Sequence, residues 1–168
     1  MLTCIFGGNG SGKSRFAESL VDTCGDPRYY VATMIPYGES GARRVQKHIR
    51  QRENLRFTTL ELPYLEDLSR IPEQSVVLLE DLSNLLANRM FENKGDWEGV
   101  LEDVLSLSRK SRELFVVSIT GYKQEDFSGD TARYVEALKT LNSALAEKAD
   151  RVYEMKEGIP VLRKGEER

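Results

Sequence analysis

Read for apolar periodicity alone, the chain alternates short apolar runs with stretches of helical spacing. "LTCIF", residues 2–6, is a buried strand, and "SRFAESLVDTC", residues 14–24, is an amphipathic helix. "YYVAT" (29–33) is a second strand and "MIPYGESG" (34–41) a loop, after which Ser40 is placed to cap a helix through about residue 52. "RFTTLEL" (56–62) alternates as a strand does, and "SVVLLE" (75–80) is fully apolar until its closing carboxylate, the habit of a central parallel strand. Helices follow at "LSNLLANRMF" (82–91) and "WEGVLEDVLSLSRKS" (97–111), the latter repeating Trp97, Val100, Leu101, Val104 and Leu105 on one face. "LFVVSIT" (114–120) is a further strand, "GYKQEDFSGD" (121–130) a polar loop, and Val135, Leu138, Leu141 and Leu145 stripe a last helix. "DRVYEMKEGIPVLRK" (150–164) reads as a hairpin turning near Gly158.

Strands alternating with helices predict an α/β fold, a mostly parallel sheet with helices on both faces and a C-terminal hairpin. At 168 residues, with no linker or repeat, one domain over 1–168 is expected. Composition adds little: 40% hydrophobic and 30% charged residues are ordinary for a soluble protein. The net charge of -3 argues against a protein that coats nucleic acid. No apolar stretch reaches membrane-span length and residues 1–6 carry no charged leader, so a cytoplasmic protein is expected. Two cysteines are too few for a disulfide framework, and Cys4, in an apolar run, reads as a small core residue.

The chemistry is concentrated in two places. "GGNGSGKS", residues 7–14, fits G-x-x-x-x-G-K-[ST] and stands between an apolar strand and an amphipathic helix, the setting that separates a phosphate loop from a flexible glycine turn. Backbone N–H groups of Gly7, Gly8, Asn9, Gly10, Ser11 and Gly12 can cradle phosphates, with Lys13 reaching the β- and γ-phosphates. The Ser14 hydroxyl suits Mg2+, and Glu80, closing an apolar strand, is the second candidate for the metal, leaving Asp81 to cap the next helix. The other place is "RRVQKHIRQR", residues 43–52, which holds the only histidine, His48. Arg44, His48 and Arg52 share one helical face. A charge run of this kind is usually a solvated surface. Beside a phosphate loop, cations instead disfavour the imidazolium and stabilise charge on a phosphate under attack, which suits a neutral nucleophile.

"FGGNGSGKSRFAESL", "YVATM", "ARRVQKHIRQR", "TLE", "VVLLEDLSNLLANRMF" and "LNSALAEKADRVYEMKEGIPV" follow one another in an order that resembles the bifunctional adenosylcobinamide kinase/adenosylcobinamide-phosphate guanylyltransferase family of cobalamin biosynthesis. The resemblance implies a P-loop NTPase-type fold and two reactions. A nucleoside triphosphate, ATP or GTP, phosphorylates the aminopropanol hydroxyl of adenosylcobinamide. GTP then gives its GMP through a GMP–histidine intermediate to yield adenosylcobinamide-GDP. It also implies that His48 is the catalytic nucleophile, that Thr33, Met34, Arg44, Gln51, Arg52 and Glu61 contact nucleotide, and that the chain is a homo-oligomer, the trimer being the family's form. The chain departs from the family in reading "VSITGY" where relatives often carry a polar pair after the fifth strand, at Ile119 and Thr120. That departure motivates an alternative, guanylyltransferase only. A non-catalytic P-loop nucleotide-dependent binding or assembly module is the alternative that the phosphate loop alone permits.

Overall fold

A computed structural model describes residues 1–36, 53–92 and 95–166. Seven strands form one sheet in the order β3-β2-β4-β5-β1-β6-β7. They are β1 (Leu2–Gly7), β2 (Arg28–Ala32), β3 (Thr58–Glu61), β4 (Val76–Glu80), β5 (Glu113–Ile119), β6 (Arg151–Lys156) and β7 (Ile159–Lys164). All neighbours run parallel except β6 and β7. That pair is a hairpin closed by Glu157 and Gly158, both at positive φ (51° and 82°), the geometry that matches the twist of the flanking strands. The hairpin expected near Gly158 is therefore present.

Four α-helices are described: α1 (Lys13–Asp22), α2 (Leu82–Phe91), α3 (Trp97–Lys110) and α4 (Gly129–Lys148). Because successive strand side chains point to opposite faces, each central strand supplies two cores. Ile5, Val76, Leu78, Phe115 and Val117 meet Ala17 and Val21 of α1. Cys4, Phe6, Val77, Leu79, Leu114 and Val116 meet Leu82, Leu85 and Leu86 of α2, Val100, Val104 and Leu107 of α3, and Leu138, Leu141 and Leu145 of α4. The expected sheet with helices on both faces is what the apolar runs build.

Several boundaries differ from the periodicity. β3 is confined to Thr58–Glu61, because Arg56 takes positive φ and breaks the extended run. α4 begins at Gly129, inside the stretch expected to be loop, and a 3-10 turn occupies Gln124–Asp126. The helix expected after Ser40 lies outside the described residues. Cys4 is fully buried, and burial pushes its thiol up to about 12, as a core residue's should be.

Candidate functional site

The site is built where β1 ends. Gly7 is held between two neighbours: a Cβ there would lie 2.6 Å from Ser11 Oγ and 2.9 Å from Met155 Cβ on β6. Only a glycine lets the chain turn out of the sheet so close to β6. Gly10 and Gly12 then take positive φ, 70° and 85°, and Gly12 occupies the N-cap of α1 with no side-chain cap. The first-turn N–H groups of α1 thus lack a side-chain acceptor, which is the condition for an anion to complete the helix end. Around Gly8 and Gly10 the space is open, with nothing within 4 Å of a would-be Cβ.

Lys13 and Ser14 open the helix. The Lys13 ammonium donates to the Gly8 carbonyl at 2.7 Å, folded back over the loop it follows. Burial lowers its pKa, while the charges of Asp81 and Glu80 work the other way. The Ser14 hydroxyl donates to Glu80 Oε1 across the gap between α1 and β4. Glu80 Oε2 is buried and takes no hydrogen bond among the described residues. A hydroxyl touching a carboxylate with a spare oxygen is an all-oxygen donor pair, which fits magnesium better than a softer metal.

Asp81 caps α2, as expected, its Oδ1 accepting from the Asn84 N–H and the Ser83 hydroxyl, each at 2.7 Å. Burial raises its pKa, opposed by those donors and by Lys13. The Thr33 hydroxyl, wholly buried, donates to the Asp81 carbonyl at 2.7 Å and accepts from the Asp81 N–H at 2.8 Å. Its side chain therefore clamps the end of β2 to the start of α2, and Met34, half-buried, follows it. Glu61 ends β3 beside Ala32 and is exposed. Four strand steps of about 4.8 Å set it roughly 19 Å along the same sheet edge from Gly7.

The structure thus gathers Gly7 to Ser14 with Glu80, and places Thr33, Met34 and Glu61 farther along that edge. His48, Arg44, Gln51 and Arg52 lie outside the described residues. Sequence reasoning missed Asn88. This buried asparagine of α2 donates to the Thr33 carbonyl at 2.7 Å and the Pro63 carbonyl at 2.9 Å, joining the segments that leave β2 and β3. A polar residue on the apolar face of "LSNLLANRMF" was the available signal.

A mostly parallel sheet, a glycine loop at the end of β1 and a carboxylate at the end of a strand one removed from it define a P-loop NTPase-type α/β protein. Solved structures agree on the fold. The flagellar accessory protein FlaH from Methanocaldococcus jannaschii matches with a TM-score of 0.60 at 10% identity, over 98% of this chain and 78% of that one. The RadB recombinase matches at 0.55 and 18%, over 98% and 81%. Residues 3–162 match the family model for cobinamide kinase / cobinamide phosphate guanyltransferase, and the chain belongs to that family of transferases. The bifunctional adenosylcobalamin biosynthesis protein CobP of Pseudomonas aeruginosa is 34% identical over 99% of both chains. The protein of the same description designated CobU in Escherichia coli is 33% identical over 57% of this chain and 54% of its own. No described helix is long and apolar enough to cross a membrane.

Proposed function

We propose that this chain, acting as one nucleotide-binding domain, carries out both reactions of its family on adenosylcobinamide. In the first, the acceptor hydroxyl attacks the γ-phosphorus of a nucleoside triphosphate and the diphosphate leaves. In the second, a ring nitrogen of His48 attacks the α-phosphorus of GTP, pyrophosphate leaves, and an oxygen of the corrinoid phosphate displaces the histidine to give adenosylcobinamide-GDP.

The observation that carries the reading is the contact of Ser14 with Glu80 beneath an open Gly7–Ser14 loop, in a chain matched to this family over residues 3–162. The loop supplies backbone donors for the β- and γ-phosphates, and Lys13 has only to leave the Gly8 carbonyl to reach them. Ser14 and Glu80 would hold Mg2+, which when bound neutralises charge on the phosphates. The assignment of the nucleophile to His48 is supported by the match of residues 3–162 to the family. Arg44 and Arg52 would keep its imidazole neutral and brace the phosphate, with Gln51, Thr33, Met34 and Glu61 as further nucleotide contacts. The protein is read as a cytoplasmic homo-oligomer, a trimer as in its family.

Incubating the purified chain with adenosylcobinamide, Mg2+ and ATP or GTP tests the scheme, with products separated by chromatography. Both the phosphate and the GDP derivative should form. Formation of the GDP derivative only from supplied adenosylcobinamide phosphate would reduce the function to guanylyltransferase, the alternative motivated by Ile119 and Thr120.

A further inference from the structure

On the α4 face of the sheet, where β5 leaves it, lies a cleft of about 360 Å³. Phe6, Ile119 and Leu138 form apolar walls, Asn142 and Ser143 of α4 form the polar side, and Tyr122 stands at the mouth. Three observations mark it as more than a packing defect. The Asn142 side chain is largely buried; its amide donates to the Ile119 carbonyl at 3.0 Å, while its Oδ1 has no donor among the described residues. A buried acceptor without a partner is costly, and an entering N–H would satisfy it. Tyr122 and Phe127, both exposed, meet edge to face at 5.9 Å and present an aromatic ledge beside the opening. Finally, the cleft adjoins the phosphate loop, since the Thr120 N–H donates to the Gly7 carbonyl at 3.0 Å and Phe6 directly precedes Gly7.

We infer that this cleft receives the amide-linked, hydroxyl-bearing arm of the corrinoid acceptor, with the macrocycle lying over Tyr122 and Phe127. The inference rests on the kinase reading above. A cavity of this volume is far too small for a corrin ring but of the right order for a short arm of one amide and a few carbons. The arm's amide N–H is the donor that Asn142 Oδ1 lacks, its hydrocarbon portion suits Phe6, Ile119 and Leu138, and its terminal hydroxyl is directed toward the loop that holds the γ-phosphate. This also gives "SITGY" a role: an apolar Ile119 in place of a polar residue lines an acceptor site. A nucleotide is a poorer occupant, because Lys139, exposed on α4, is the one cation among the described lining residues and no arginine stands with it to meet a run of phosphates.

Ser143, exposed on α4 at the cleft, permits a direct test, since both native thiols are buried. The Ser143→Cys protein is labelled with a maleimide in the presence of saturating cobinamide or GTP, and cobinamide binding to the same protein is measured by co-sedimentation of its visible absorbance. Cobinamide should slow labelling by about tenfold or more, as burial of the site requires, and GTP should not. Bound cobinamide that leaves the labelling rate unchanged would overturn the cleft assignment alone. Absence of cobinamide binding would overturn the kinase reading and this inference with it.

Discussion

Gly7→Ala places a methyl group where the structure has no room. Its Cβ would stand 2.9 Å from Met155 Cβ and 2.6 Å from Ser11 Oγ. The hydroxyl can swing aside. Met155 Cβ cannot, because Gly7 and Met155 are register partners in the β1–β6 ladder. Carbon atoms rest at about 3.5 Å or more, so the strands must part locally by roughly 0.6 Å. Overpacking of this kind costs about 1–3 kcal/mol, which for a chain of this size lowers the melting midpoint by about 3–10 °C. The same displacement moves the loop's N–H groups away from the phosphates, and nucleotide affinity should fall by about tenfold. Thermal unfolding by circular dichroism and titration with a fluorescent nucleotide read the two effects. Adding Ser11→Ala should restore only part of the midpoint, because the Met155 contact persists. A midpoint within about 1 °C of the parent, with unchanged affinity, would refute the argument that Gly7 is there for close approach.

Glu80→Gln keeps an acceptor for Ser14 but removes the negative charge, so the gain in triphosphate affinity on adding Mg2+ should shrink by about tenfold; an unchanged gain, read by titration with and without Mg2+, places the metal elsewhere. Asn88→Leu leaves the Thr33 and Pro63 carbonyls without their donor and should cost about 2–4 kcal/mol by urea unfolding, whereas a loss under about 1 kcal/mol would mean that water replaces the amide. The Cys4 thiol, raised by burial from 9.0 to about 12, ionises in the unfolded chain first, so the folded state loses stability as pH rises between those values. Cys4→Ala lacks that loss, and its stability deficit against the parent should narrow from pH 8 to pH 11; a constant deficit would show the thiol to be solvated.

The parts of this fold that were legible in the sequence are those fixed by local chemistry. "LTCIF", "VVLLE" and "LFVVSI" are apolar but for Thr3, Ser118 and the closing Glu80 because β1, β4 and β5 are covered on both faces. The phosphate loop was legible because its glycines answer local demands, positive φ at Gly10 and Gly12 and close approach at Gly7. Asp81 declared itself as a cap by standing directly before an apolar helix. Strand order is another matter. That β5 lies between β1 and β4 depends on crossovers that leave no residue pattern, so the pairing of Ser14 with Glu80, 66 residues apart, could be expected only by analogy with other phosphate-loop proteins. Asn88 and the cleft beside Asn142 were invisible for a related reason: each is defined by which backbone carbonyl a buried amide meets, and those carbonyls come from distant segments.

The guanylyl transfer stands or falls on His48. Incubating the protein and its His48→Ala variant with GTP labelled at the α-phosphorus, then denaturing and separating them, shows whether GMP becomes attached. Label on the parent that survives base, is released by acid and is absent from the variant is the predicted result. Equal labelling of His48→Ala, or none on the active parent during formation of the GDP product, would contradict it.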